Sequence, residues 1–335
     1  MLKLKNEIKI GESYVAALNI MIGMPGSGKT SYAKKHLLTS NSVYLSSDQT
    51  RIDMYGFEDQ THNGEVFERM KQETILALQN GFDVIYDATN LVRKRREALI
   101  KDVENRVSNI EINAYLCCTP INIVLERNMT RTERHLPWDK LEQMIKSIEV
   151  PMYYENFDNI YLIDGGMYND VYDYNFLIKD CEGYSQDNPH HNETLAEHIK
   201  AVTKYAIELG EDLHLNIDKE ILRQAARHHD FGKLYTRLFN EKKGHCVYYG
   251  HEKISAYMFL CHIRKQRMID NLKRVRLCDS DYQIASLILN HMEWYRREDM
   301  SVVKEWFKDD DLYKMLELLH EADLQGRNEY AKKHR

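Results

Sequence analysis

In the first half of the chain, short apolar runs alternate with segments whose apolar residues return every three or four positions. Leu18–Ile22, Val43–Ser47, Asp83–Tyr86, Glu111–Cys117 and Asn159–Ile163 read as strands. Between them, Lys29–Leu38, Glu65–Gln79, Arg93–Val103, Ile121–Thr130 and Trp138–Glu149 carry a helical period. In the second of these, Val66, Met70, Thr74, Ala77 and Leu78 share one face, and Gly81 suits the helix end. Such alternation predicts an α/β domain, a parallel sheet with helices on both faces.

Beyond Gly165 the pattern changes. A stretch rich in Gly, Asn, Asp and Tyr has no clear period and reads as a connection, residues 165–189. After it, strand signals nearly vanish. Asn192–Leu209, Lys219–His229, His251–Lys265, Asp281–His291 and Asp310–Gly326 all carry the helical period. The expected organisation is an α/β domain over 1–164 and an all-α domain over 190–335, a division that 335 residues can support.

Composition narrows the class. Hydrophobic residues make up 43% of the chain, enough for a core in each half. The net charge of −6 gives no global attraction for nucleic acid, so such a partner must meet a local basic patch. No run approaches the roughly 18 apolar residues of a membrane helix, and no signal peptide is visible. Six scattered cysteines without a CxxC pair read as reduced thiols, so a cytoplasmic protein without membrane contact is expected.

The strand Leu18–Ile22 runs into Gly23-Met-Pro-Gly-Ser-Gly-Lys-Thr30, a full GxxxxGK[ST] phosphate loop. Gly26 and Gly28 let backbone N–H groups turn toward phosphates, with Gly23 and Ser27 completing the loop. Lys29 reaches the β/γ-phosphates of ATP and Thr30 offers a hydroxyl to Mg²⁺. A mechanical AAA-type ATPase would end its third strand in Asp-Glu. Here that strand ends Asp87-Ala-Thr-Asn90, so a kinase is the better reading, with Asp87 serving Mg²⁺ through water. After the second strand, Asp48 is placed to accept the proton of an attacking hydroxyl, although it would equally cap the next helix. Arg51, one turn on, would clamp an acceptor phosphate. Arg127 and Arg131, four apart, would form a lid over the transferring phosphate or else a solvated face.

The segments GMPGSGKT, SSDQTR, YDATNLVRKRR, ERNMTR and PWDKLEQMIKSIEVP resemble, in order and spacing, the kinase domain of bacteriophage and bacterial polynucleotide 5′-kinases over about residues 17–164. The resemblance implies ATP·Mg on Lys29 and Thr30, Asp48 as general base, Arg51 on the acceptor's 3′-phosphate and Arg131 on the donor. It departs at Ala88, which separates Asp87 from Thr-Asn. The run Arg93–Arg96 is either a patch that tracks phosphodiesters or an exposed helix start.

Histidines crowd the second half: His198 in a helix, His229-Asp230 at a helix end, His251 and His291, with Asp323 near the C-terminus. Imidazoles and carboxylates on successive helices can converge in a bundle as ligands for divalent metals, and the absence of thiolates argues against structural zinc. The pattern, with Lys233 in His-Asp-Phe-Gly-Lys, resembles the HD phosphohydrolase superfamily across about residues 190–330. That resemblance implies one metal on His198, His229, Asp230 and Asp323, and a second on His251 and His291 with Asp230 bridging. Mn²⁺, Ni²⁺, Co²⁺ and Fe²⁺ are all candidates, and one or two ions fit. Lys233 and Arg327 would bind substrate phosphate, while His190, His191, His228 and His245 read as neighbours.

Together the two resemblances imply an enzyme that heals nucleic acid ends, RNA favoured over DNA. It would phosphorylate 5′-OH ends and hydrolyse 2′,3′-cyclic phosphate or 3′-phosphate ends for a separate RNA ligase. The chain has no ligase Lys-x-Asp-Gly motif. A small-molecule nucleoside kinase fused to an HD nucleotidase, and an NTP-binding sensor, are the competing readings.

Overall fold

The computed structural model describes residues 14–57, 60–132, 135–165, 172–212, 218–267, 274–307 and 309–327. In the first half, strands β1 (Ala16–Ile22), β2 (Ser42–Ser46), β3 (Asp83–Asp87), β4 (Ile110–Cys117) and β5 (Asn159–Ile163) are all parallel, in the order β2-β3-β1-β4-β5. Helices α1 (Lys29–His36), α2 (Ser47–Tyr55), α3 (Asn63–Gln79), α4 (Arg93–Glu104), α5 (Ile121–Thr130) and α6 (Trp138–Lys146) connect them. The predicted strands and helices are present within a few residues. α2 is additional, because Ser47 opens a helix rather than closing a strand.

Alternation along β1 explains the two layers. Leu18, Ile20 and Ile22 face a large apolar core. Met21 faces the other way, into a smaller cluster with Tyr32 and Ala33 of α1, Ile85, Tyr115, Cys117 and Ile163. Reversal of strand order about β1 leaves a crevice beyond the carboxyl ends of β1 and β3, where ligands bind in such sheets.

The second half is helical: α7 (Tyr174–Asp180), α8 (Leu195–Asp212), α9 (Lys219–His228), α10 (Lys233–Thr236), α11 (His251–Gln266), α12 (Asp279–Asn290), α13 (Ser301–Phe307) and α14 (Asp310–Gly326). The connection expected to be irregular holds α7, while its residues 166–171 lie outside the described ones. Three short strands also occur. β6 (Leu238–Asn240) and β7 (His245–Val247) form a hairpin, and β8 (Arg274–Arg276) pairs antiparallel with β5 through Leu162↔Val275. The sheet of the first half is thus finished by a strand from the second.

The two halves share one apolar cluster that runs from Leu18, Ile112 and Leu162 into Ile199, Leu222, Tyr257 and Leu287. Fully buried Tyr257 of α11 donates its hydroxyl to the Thr119 carbonyl (2.6 Å) and accepts from the Thr119 N–H (3.2 Å). Lys253 pairs with Glu149 at 2.7 Å. Among the described residues no helix is long and apolar enough to cross a membrane.

The basic run at the start of α4 is not a continuous phosphate-facing patch. Arg96 is 1% exposed, and its Nε and Nη2 donate to the two oxygens of Glu155 at 2.8 and 2.7 Å. Its Nη1 donates to the carbonyls of Asn90 and Glu149 at 2.9 Å each. Burial pushes the Glu155 carboxyl up although Arg96 opposes it. Because removing one partner strands the other charge in the core, Arg96→Ala should cost roughly 3–5 kcal/mol of stability. Chemical denaturation checks this; a cost below about 1 kcal/mol would mean that Glu155 finds solvent.

Candidate functional sites at a phosphate loop and a histidine–aspartate centre

β1 delivers the phosphate loop to α1, and Gly28 stands at the helix N-cap with φ 99°. Besides this left-handed conformation, a Cβ at Gly28 would lie 2.5 Å from the Gly165 carbonyl oxygen. The loop's carbonyls are tied from behind. Thr119 Oγ1 donates to Ser27 O at 2.6 Å, and Arg127 Nη1 donates to Gly26 O at 3.0 Å and Gly165 O at 2.9 Å. Carbonyls held back leave the N–H side of the loop for an anion, beside the positive end of α1. Arg127 therefore meets loop carbonyls, whereas the sequence reading placed it on the nucleotide. The Arg131 guanidinium lies 3.7 Å from where a Gly26 Cβ would stand, over the loop, as a lid residue requires.

Thr30 and Tyr44 both donate to Asp87 Oδ2 at 2.6 Å. Burial and the Asp87 carboxylate push the Tyr44 hydroxyl up, so Tyr44 stays a donor. The other oxygen, Asp87 Oδ1, is buried with no protein partner. An orphaned carboxylate oxygen beside the loop threonine fits Mg²⁺, with or without an intervening water.

The Ser46↔Asp87 register sets the start of α2 at the carboxyl end of β3. Ser46 is the N-cap, so Asp48 lies within the first turn instead of capping it. Asp48 Oδ1 accepts from Arg51 Nη1 at 3.0 Å, and Arg51 Nη2 donates to Asn63 Oδ1 at 2.6 Å. Arg51 is 4% exposed and its Nε is unpartnered, while the Asp48 side chain remains about half open at 44%. A half-open carboxylate beside an anchored guanidinium can take a proton and hold an anion together.

The second site gathers side chains from the ends and faces of five helices. His198 lies on α8, His229-Asp230 follow α9, His251 opens α11, His291 follows α12 and Asp323 lies on α14. His198 Nε2 stands 3.0 Å from Asp323 Oδ1 and 3.3 Å from Asp230 Oδ2; His229 Nε2 is also 3.3 Å from Asp230 Oδ2. His251 Nε2 is 3.0 Å and His291 Nε2 3.8 Å from Asp230 Oδ1. The ligand atoms of His198, His229 and Asp323 lie within 4.8 Å of one another, as do those of His229, Asp230 and His291. All six residues are buried.

Local structure aims three of these rings in one way. The Nδ1 atoms of His229, His251 and His291 face the carbonyls of Ala226, Tyr248 and Ile288, each three residues back, at 2.7–2.8 Å. With Nδ1 donating, each Nε2 turns a lone pair inward. His251 and His291 then oppose two acceptors at 3.2 Å, which is repulsive unless a cation stands between them. His229 Nε2 is buried with no hydrogen-bond partner. These orphans, with borderline nitrogen and oxygen donors, fit a divalent transition metal. The same carboxylates that would draw a metal cation also draw a proton. Burial works against charging His198, but Asp230, Asp323 and Glu193 push it up to about 10. Burial also opposes ionised Asp230, yet His229 and Lys233 hold it well below the carboxylate range.

The remaining expected residues sit close by. Lys233 Nζ lies 2.7 Å from Asp230 Oδ2 and donates to Gln186 Oε1 at 2.8 Å. Arg327 Nη2 donates to Asp323 Oδ2 at 3.0 Å, and Tyr295 OH donates to the same oxygen at 2.6 Å. Arg327 thus orients a ligand residue from a half-buried position. His228 is buried among Tyr174, Phe231 and Phe259, a packed ring as expected. His245 faces the Cys246 carbonyl on the hairpin. His191 is more than a neighbour: its Nδ1 meets Glu193 Oε1 at 2.6 Å, and that oxygen is 3.5 Å from His198 Nδ1. Sequence reasoning missed Gln186, Glu193 and Tyr295; only the adjacency of Glu193 to two histidines was a signal.

Residues 18–151 match the family model described as AAA domain, and residues 195–325 match that described as HD domain. No curated protein matches the chain. Among solved structures, it is similar to a chain of the Pnkp1/Rnl/Hen1 complex (22% identity, TM-score 0.30, 39% of this chain and 44% of that one). It is also similar to one of the Pnkp1/Rnl/Hen1 RNA repair complex (22%, 0.34, 42% and 46%). A third is the PezAT chromosomal toxin–antitoxin system of Streptococcus pneumoniae (14%, 0.32, 47% and 71%). The chain spans less than half the length of the first two. The phosphate loop and its parallel sheet lie within the residues that match the AAA domain model, and the helical His-Asp centre lies within those that match the HD domain model: an AAA-type domain precedes an HD domain in this chain.

Proposed function

We propose that the chain is a bifunctional end-healing enzyme, a polynucleotide 5′-hydroxyl kinase joined to an HD phosphohydrolase, with RNA favoured over DNA. The observation that carries this reading is the Asp48–Arg51 pair at the same sheet edge as the phosphate loop. An ATPase that spends water needs no such acceptor site; a kinase needs a base and a cation there. The 5′-hydroxyl loses its proton to Asp48 as its oxygen bonds the γ-phosphorus, and the bond from γ-phosphorus to the β–γ bridging oxygen breaks to release ADP. Lys29 and Arg131 neutralise the transferring phosphoryl group, and Arg51 holds the adjoining phosphate of the acceptor. Thr30 and Asp87 would hold Mg²⁺, which would supply further charge neutralisation.

In the HD half, one or two divalent ions held by His198, His229, Asp230, His251, His291 and Asp323 would activate water for hydrolysis of a 2′,3′-cyclic phosphate or 3′-phosphate. Lys233 would meet the substrate phosphate. The products, 5′-phosphate and 3′-OH, suit a separate RNA ligase. Residues 1–164 and 190–335 form the two catalytic modules in this reading, in a cytoplasmic protein.

A short RNA bearing a 5′-OH and a 2′,3′-cyclic phosphate, incubated with ATP, Mg²⁺ and Mn²⁺, should gain mass at the 5′ end and lose its cyclic group. Untouched RNA with turnover of free nucleosides or nucleotides would overturn the reading in favour of a small-molecule enzyme.

A further inference from the structure

The β6–β7 hairpin belongs to neither site, yet it rises from one of them. It is inserted between Lys233, which pairs with Asp230, and His251, which also faces Asp230. Its base is fastened there. Tyr248, just past β7, accepts from His251 through its carbonyl, donates its hydroxyl to Gln186 O at 2.7 Å, and has Lys233 Nζ 5.7 Å from its ring centre. On one flank, Cys246 N–H donates to Asp187 O at 2.9 Å and Asn188 Nδ2 donates to Cys246 O at 3.0 Å.

The other flank is open. Leu238 and Phe239 of the outer strand are successive, so they point to opposite faces, and they are 49% and 59% exposed. Tyr249, at 61%, carries Lys243 against its hydroxyl at 3.1 Å, and Lys242 is exposed at the turn. A two-stranded hairpin is marginal alone, and exposed aromatics on it gain nothing from water. In a chain of net charge −6, two exposed lysines and two exposed aromatic rings share this hairpin with the exposed Glu241, and such lysines and rings are the groups that track phosphates and stack bases.

We infer that this hairpin is a platform for single-stranded RNA, holding the nucleotides just upstream of the 3′ end that enters the His-Asp centre. Phe239 and Tyr249 stack bases, and Lys242 and Lys243 follow the backbone. The inference rests on the end-healing reading and adds to it a location for the strand. It also predicts that oligonucleotides depend on the hairpin and mononucleotides do not.

Two full-length double variants test it, Phe239→Ala with Tyr249→Ala, and Lys242→Ala with Lys243→Ala. Two readouts are used: anisotropy of a labelled 12-nucleotide RNA across a salt series, and hydrolysis of a cyclic-ended RNA beside a 2′,3′-cyclic mononucleotide. The aromatic variant should lose at least 10-fold in RNA affinity and raise the KM for the RNA end equally. The lysine variant should lower the slope of log affinity against log salt by about 1.4, at about 0.7 per phosphate contact. Both should hydrolyse the mononucleotide like the parent, which shows the centre intact. Parent-like RNA affinity and slope in both variants would overturn the platform, and would turn the exposed strand toward a protein partner. If the parent protein bound RNA but opened no cyclic end, the hydrolase reading would fail while the affinity loss in the variants still upheld the platform. Absence of RNA binding by the parent would overturn the platform whatever the hydrolase did.

Discussion

Asp230→Asn should abolish hydrolysis at the HD centre, by at least 10³-fold or about 4 kcal/mol of barrier, and leave phosphoryl transfer intact. Asp230 stands at the middle of the centre and meets His198, His229, His251, His291 and Lys233. Asparagine keeps the volume but offers one neutral acceptor oxygen where two charged ones stood. The loss therefore falls on the metal and on Lys233 together, and metal content measured after dialysis should drop with activity. Retained kinase activity serves as the folding control. If Asp230→Asn kept its metal and its hydrolysis, the centre described here would not be the catalytic one.

The second large effect concerns the phosphate loop. Lys29→Ala should remove phosphorylation by at least 10³-fold and spare hydrolysis, because in the proposed kinase the loop lysine would neutralise the β/γ-phosphates. Asp48→Asn should do the same by a different route. Arg51 keeps its bond to Asn63, so the acceptor cation stays in place while the base is gone. ATP binding measured by calorimetry should then be near parental for Asp48→Asn and weakened for Lys29→Ala. Normal phosphorylation by Asp48→Asn would remove Asp48 from the chemistry and leave it as a tether for Arg51.

What the sequence shows of these sites divides along a physical line. The phosphate loop is legible because strand, loop and helix are contiguous and each glycine answers a local backbone demand. The six His-Asp residues are legible because imidazoles and carboxylates repeat along successive helices. Residues that act through distant partners are not. Arg127 has the spacing of a lid arginine, yet the Gly165 and Gly26 carbonyls capture it. Arg96 stands in a basic run, but its partner Glu155 is 59 residues away and buried. β8 has only three residues and no period to read, and its place is set by pairing with Leu162 across the chain. Gln186 lies in the connection without periodicity, so only the fold reveals that it meets Lys233.

The pairing of β8 with β5 bears on how such a chain can be divided. Cut between its halves, the first would present β5 as a bare strand rich in Ile and Leu, with unpaired N–H and C=O groups along it, the form that invites sheet-to-sheet aggregation. The second half would meanwhile lose the partner that orders Arg274–Arg276. A gene that carried the first half alone would have to encode another cover for that edge.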